Sequence, residues 1–151
     1  MRAKTIGVYT VSMVRDRSVP GIPDETPITE PSAVMDLVRP LYAGRDREVF
    51  SVVLMDARHR PIGINQVSVG TVSAALVHPR EVFKPAIVIG ASSFIAVHNH
   101  PSGDLAPSEE DIALTRRLRE AGELLGIELL DSIIVDLPAT NQYSMKKAGL
   151  L

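Results

Sequence analysis

The sequence predicts an α/β fold: a mixed, partly antiparallel sheet flanked by helices. Three observations carry this. A β-favouring run, Val49 to Met55, is followed by the polar turn Asp56–Pro61 and a returning strand, Ile62 to Gly70, which together read as an antiparallel hairpin. A short apolar run, Ser93 to His98, reads as a buried central strand. Segments with helical spacing alternate with these strands, but without a regular βαβ repeat.

Taken in order, Lys4 to Val14 alternates loosely, with Ile6 and Val8 two apart, and reads as an edge strand. Residues 15–28 contain Pro20, Gly21, Pro23 and Pro27 and form a flexible loop. Thr29 and Ser32 are both candidate caps for a helix carrying Ala33, Val34, Leu37, Val38 and Leu41, which Pro40 should kink or shorten. Pro79 to Gly90 reads as a second helix, with Pro85 expected to bend or divide it. Ser108 to Leu125 is the clearest helix: Ile112, Thr115, Leu118, Ala121, Leu124 and Leu125 fall largely on one stripe, and Glu109, Glu110, Arg116, Arg117 and Glu120 fall mostly elsewhere, as a solvated face. Ile127 to Val135 is another strand, and Gln142 to Met145 supplies a last short one.

Composition narrows the function. The chain has 151 residues, enough for one domain with a full core, with 45% hydrophobic and 23% charged residues, as in an ordinary soluble globule. No apolar run approaches twenty residues and Met1-Arg-Ala-Lys-Thr5 lacks a signal-peptide pattern, so a cytoplasmic protein without a membrane partner is expected. There is no cysteine, which excludes disulfides, thiol nucleophiles and cysteine-bearing zinc sites. Sixteen basic against eighteen acidic residues give a net charge of −2, which does not support a nucleic-acid partner.

The most informative segment is 98–111, His-Asn-His-Pro-Ser-Gly-Asp-Leu-Ala-Pro-Ser-Glu-Glu-Asp. In a strand, residues i and i+2 share a face, so His98 and His100 project together from the strand end. Pro101-Ser-Gly-Asp104 turns the chain, and Asp111 falls in the first turn of the next helix, where it can face back toward the histidines. Two imidazoles and a carboxylate suit zinc, and catalytic zinc typically keeps its fourth position for water. Ser108-x-x-Asp111 also reads as a capping box, and the two readings are compatible. Asn99 points away from the two histidines and reads as structural; Asp104 is a lesser candidate for touching substrate. His59 and His78 have no comparable neighbours and read as surface residues.

His98-x-His100-Pro101, six residues, then Ser108-x-x-Asp111 resembles the motif of the JAMM/MPN (JAB) metalloprotease superfamily at every defined position. Gly70-Thr71, Pro79-Arg80-Glu81, His98-Asn-His-Pro-Ser-Gly103, Pro107-Ser108, Leu124-Leu-Gly126 and Asp131-Ser-Ile-Ile-Val135 resemble its bacterial RadC branch, and the similarity runs from roughly residue 30 to 145. The resemblance implies one RadC-type JAMM/MPN domain over 1–151, a cytidine-deaminase-like α/β sandwich, with zinc held by His98, His100 and Asp111. It implies Glu48, at the entry of the Val49–Leu54 strand, as general acid–base, with Glu81 the nearest rival, and Ser108 as hydrogen-bond donor to the developing oxyanion. Two departures stand out. Ser132 occupies a place where the family usually has histidine, and the helix-hairpin-helix-like region usual in RadC proteins is not expected within these 151 residues.

The leading expectation is therefore a zinc-dependent metallopeptidase or isopeptidase acting on a protein or peptide, with a homo-oligomer left open. The alternative is a DNA-repair-associated processing factor or metal-dependent nuclease, although two-metal nucleases need more clustered carboxylates. A non-catalytic scaffold is disfavoured by the intact triad.

Overall fold

A computed structural model describes residues 5–20, 26–70, 77–137 and 139–151. Its core is a five-stranded mixed sheet with helices on both faces. The elements run α1 (Pro31–Tyr42), β1 (Glu48–Met55), β2 (Pro61–Gly70), α2 (Pro79–Ile89), β3 (Ser93–Asn99), α3 (Glu109–Leu125), β4 (Glu128–Asp136) and β5 (Asn141–Ser144). The strand order is β2-β1-β3-β4-β5. β3 and β4 are parallel and joined through α3, and the other neighbours are antiparallel.

Strand alternation sorts the core into two clusters. Val49, Val53 and Met55 of β1 and Ile95 and Val97 of β3 pack with α1, whereas Phe50, Val52, Leu54, Phe94 and Ala96 pack with α2 and α3. Full burial of one such side chain stabilises by about 1.5–3 kcal/mol. In β4 the alternation is broken once: Phe94 faces Leu129, but Ile95 faces Asp131. The extra residue moves the apolar side chains from the α3 face at Leu129 to the α1 face at Ile133 and Val135.

Several expectations need correction. Residues 5–20 contain no helix or strand, so the edge strand expected over Lys4 to Val14 is absent from its described part, 5–14; Lys4 lies outside the described residues. Alternation there meets no neighbouring strand, and Val8, Tyr9 and Val14 are exposed. Glu30, not Thr29 or Ser32, is the N-cap of α1, with Pro31 starting the helix. Two expectations are not overturned: Pro40 lies inside α1, which ends soon after at Tyr42, and Pro85 lies inside α2, which it does not divide. The buried positions of α3 are Leu114, Thr115, Leu118 and Gly122, while Leu124 and Leu125 are exposed. The reason is steric. A Cβ on Gly122 would lie 2.4 Å from the Ile127 carbonyl oxygen, so the chain returns over the glycine and leaves Leu124 and Leu125 outside.

No helix among the described residues is long and apolar enough to cross a membrane.

Candidate metal centre

The site lies where the C-terminal end of β3 meets the N-terminus of α3, the position at which open α/β sheets commonly bind ligands. Phe94, Ala96 and His98 alternate onto the face covered by α2 and α3, and the Phe50 ring stacks on His98 at 5.9 Å between centroids. Pro101, with no N–H to offer a ladder, follows His100. The chain then turns through Gly103, whose φ is 79° and whose N–H donates to the His100 carbonyl at 2.9 Å. The Asp104 carboxylate accepts the Ala106 N–H at 2.9 Å, and the chain enters α3 at Ser108.

The entry is a complete capping box. Ser108 Oγ accepts the Asp111 N–H at 3.0 Å, and Asp111 Oδ2 accepts the Ser108 N–H at 2.8 Å. This aims the Asp111 carboxylate back at β3. His98 Nε2 lies 3.2 Å from His100 Nε2 and 3.3 Å from Asp111 Oδ1, and His100 Nε2 lies 3.1 Å from Asp111 Oδ2. Burial by itself would raise the Asp111 pKa, but the His98 side chain and the Ser108 hydrogen bonds overcome it and hold the carboxyl well below its usual range.

Among the described residues, His98, His100 and Asp111 form a group able to hold a metal ion, with one donor atom from each all within 4.8 Å of one another. The donors fit such an ion. A tetrahedral ion with bonds of about 2.0–2.1 Å spaces its ligands about 3.3 Å apart, close to the separations seen here. His100 Nδ1 donates to the Asp104 carbonyl at 2.6 Å, which leaves Nε2 as the lone-pair nitrogen. His98 Nδ1 is buried with no hydrogen-bond partner among the described residues.

Comparison with known proteins identifies the family of the chain. The model of the RadC-like JAB domain matches residues 28–150. The chain belongs to this family. Among its relatives, a UPF0758 protein of Rubrobacter xylanophilus is 45% identical over 93% of this chain and 61% of the relative. One of Desulfitobacterium hafniense is 44% identical over 89% and 59%, respectively, and one of Syntrophomonas wolfei is 41% identical over 99% and 64%. The chain thus spans less than two thirds of the length of each. Membership in the JAB family suggests a metal-dependent hydrolase of the JAMM type.

The remaining candidates of this JAB domain sort by register. Phe50 faces His98 across the β1–β3 ladder, so Glu48, two residues earlier, belongs to the same sheet face and falls level with His100. It is half-buried. Glu81 sits instead in the first turn of α2, where Lys84 at 3.1 Å and Arg80 at 3.9 Å account for its charge. Ser108 is exposed at the N-cap of α3, beside Asp111. Ser132 is buried opposite Ala96, on the face of β4 that alternates with Ile133, and so belongs to the same side of the sheet as His98. His59 is an exposed turn residue with φ 59°, whereas His78 caps α2 by accepting the Arg80 N–H at 3.2 Å.

Three contributions escape inspection of the sequence. The Asp104 carbonyl orients His100 through a backbone atom, which carries no residue signature. Tyr42 Oη donates to the Val97 carbonyl at 2.8 Å, bracing β3 from α1, and only long-range packing brings them together. Asn99 uses its carboxamide on β1: Oδ1 accepts the Val49 N–H at 2.7 Å, and Nδ2 donates to the Arg47 carbonyl at 3.0 Å.

Proposed function

We propose that this domain is a zinc-dependent amide hydrolase, a metallopeptidase or isopeptidase acting in the cytoplasm on a protein or peptide. The observation that carries the reading is the convergence of His98 Nε2, His100 Nε2 and the Asp111 carboxylate, with exposed Ser108 capping Asp111 beside them. A zinc ion held there would supply a Lewis acid and acidify its water to a pKa of about 7 from roughly 15.7. Glu48, on the same face as His98 and His100, takes a proton from the nucleophile and returns it to the leaving amine. Ser108 Oγ uses a lone pair on the Asp111 N–H, so its own hydrogen remains to donate to the substrate carbonyl oxygen as negative charge develops. A donor in this role contributes about 2.7–4 kcal/mol to lowering the barrier. The Asp104 carbonyl and the capping box keep His100 and Asp111 aimed while this happens.

The test pairs metal analysis with hydrolysis of a panel of peptides and lysine-linked isopeptides. Glu48→Gln keeps zinc and loses nearly all turnover, whereas Glu81→Gln remains active. Loss of turnover from Glu81→Gln with Glu48→Gln active would reassign the proton carrier. Absence of zinc from the purified wild type would overturn the reading. Submicromolar binding to duplex DNA at physiological salt, against the net charge of −2, would favour a DNA-processing role instead.

A further inference from the structure

We propose that Asn99, the residue between the two histidines, is the positioning residue that fixes Glu48 at the metal centre. The inference rests on the reading of Glu48 as proton carrier and adds what holds it there. The backbone ladder between β1 and β3 runs from Met55↔Ser93 to Phe50↔His98 and ends there. At the next position the carboxamide of Asn99 takes over, accepting from Val49 N–H and donating to the Arg47 carbonyl. These are the residues on either side of Glu48. Both amide atoms of one buried side chain are therefore committed to the peptide units that flank a single carboxylate. Arg47 itself lies before the first residue of β1, where a strand end would otherwise fray.

The geometry has a chemical consequence. His98 in β3 and His100 just past its end bring their Nε2 atoms together, and the residue between them ties down the neighbouring strand. The backbone that carries the metal donors thus also carries the clamp on the acid. A carboxylate must come within about 2.6–3.2 Å of the proton it accepts. A glutamate at a free strand entry would hold that distance poorly, whereas one whose flanking peptides are both hydrogen-bonded to the metal-bearing strand holds it without help from substrate. Asparagine suits the task because its carboxamide offers an acceptor and a donor together.

Asn99→Leu removes both bonds at similar volume, and Asn99→Asp keeps the acceptor for Val49 N–H while losing the donor to Arg47. In zinc-loaded Asn99→Leu we expect unchanged metal content, amide exchange at Val49 faster by about tenfold, as for a lost hydrogen bond, and turnover lower by on the order of a hundredfold. Asn99→Asp should fall between wild type and Asn99→Leu in Val49 exchange. Adding Asn99→Leu to Glu48→Gln should slow turnover no further, because the clamp acts only through the carboxylate. A second readout is independent of activity: the carboxyl carbon resonance of Glu48, identified by its loss in Glu48→Gln, should shift on zinc loading in wild type and shift much less in Asn99→Leu. If Asn99→Leu fails to fold, the same resonance is followed in Asn99→Asp, where a reduced shift is likewise expected. An unreduced shift, or full turnover despite a released Val49 amide, would overturn the proposal, as would loss of zinc from Asn99→Leu with the Glu48 resonance unmoved. Lack of turnover from wild type would overturn the hydrolase reading alone; the Glu48 resonance would still decide the clamp.

Discussion

Two segments of this chain read as strands from their apolar residues, one as a short apolar run and the other as a loose alternation, and they meet opposite fates. Ser93–Asn99 becomes β3, buried throughout and paired with β1 on one side and β4 on the other. Residues 5–14 stay outside the sheet, with Ile6, Val8, Tyr9 and Val14 each more than four-fifths exposed. Alternation alone therefore does not make a strand. A strand's N–H and C=O groups need a ladder on at least one side, and its apolar face needs a cover. β3 has both, from two strands and from helices on either face.

The sharpest way to break the contrast is at the donors. His100→Ala should take the metal content from one ion per chain to none and turnover to background, while the same purified protein with Val8→Thr keeps both; elemental analysis checks each. Next comes packing. Phe94 is fully buried and meets Phe83 edge-on at 5.2 Å between centroids. Phe94→Ala should cost about 3–5 kcal/mol in urea unfolding.

Ser108→Ala comes third. It removes the cap on the Asp111 N–H and should cost about 1 kcal/mol, and it should separately slow turnover without releasing metal. A variant that loses the stability but keeps full activity would restrict Ser108 to capping. The smallest effect belongs to the exposed segment: Val8→Thr should change unfolding free energy by less than about 0.5 kcal/mol. A loss comparable to that of Phe94→Ala would mean that residues 5–14 pack against something in solution.

How far the sequence could be read follows the same division. The hairpin, the central strand and the capped helix α3 were all legible, because turn residues, short apolar runs and a capping box are local. The triad was legible because its members lie within fourteen residues and local geometry brings them together. The strand over 5–14 was misread because pairing is not local. Leu124 and Leu125 were misplaced because the return of the chain over Gly122, not helical periodicity, sets where the buried stripe ends. The tie from Asn99 to β1 depends on β1 and β3 being neighbours, fifty residues apart in sequence. Alternation placed Asn99 on the opposite face from the histidines but could not say what its carboxamide would reach.

The capping box at α3 has one more consequence. Asp111 belongs to the first turn of a helix, the kind of element that opens locally and often, whereas His98 belongs to the middle of a sheet, which opens only with the whole fold. The donor set therefore joins a fast part of the molecule to a slow one. Unwinding a single turn at Ser108 withdraws the carboxylate and leaves the imidazoles in place. The exchange rate of the bound ion should accordingly track fraying of that turn, so that Ser108→Ala quickens exchange even where equilibrium affinity barely changes.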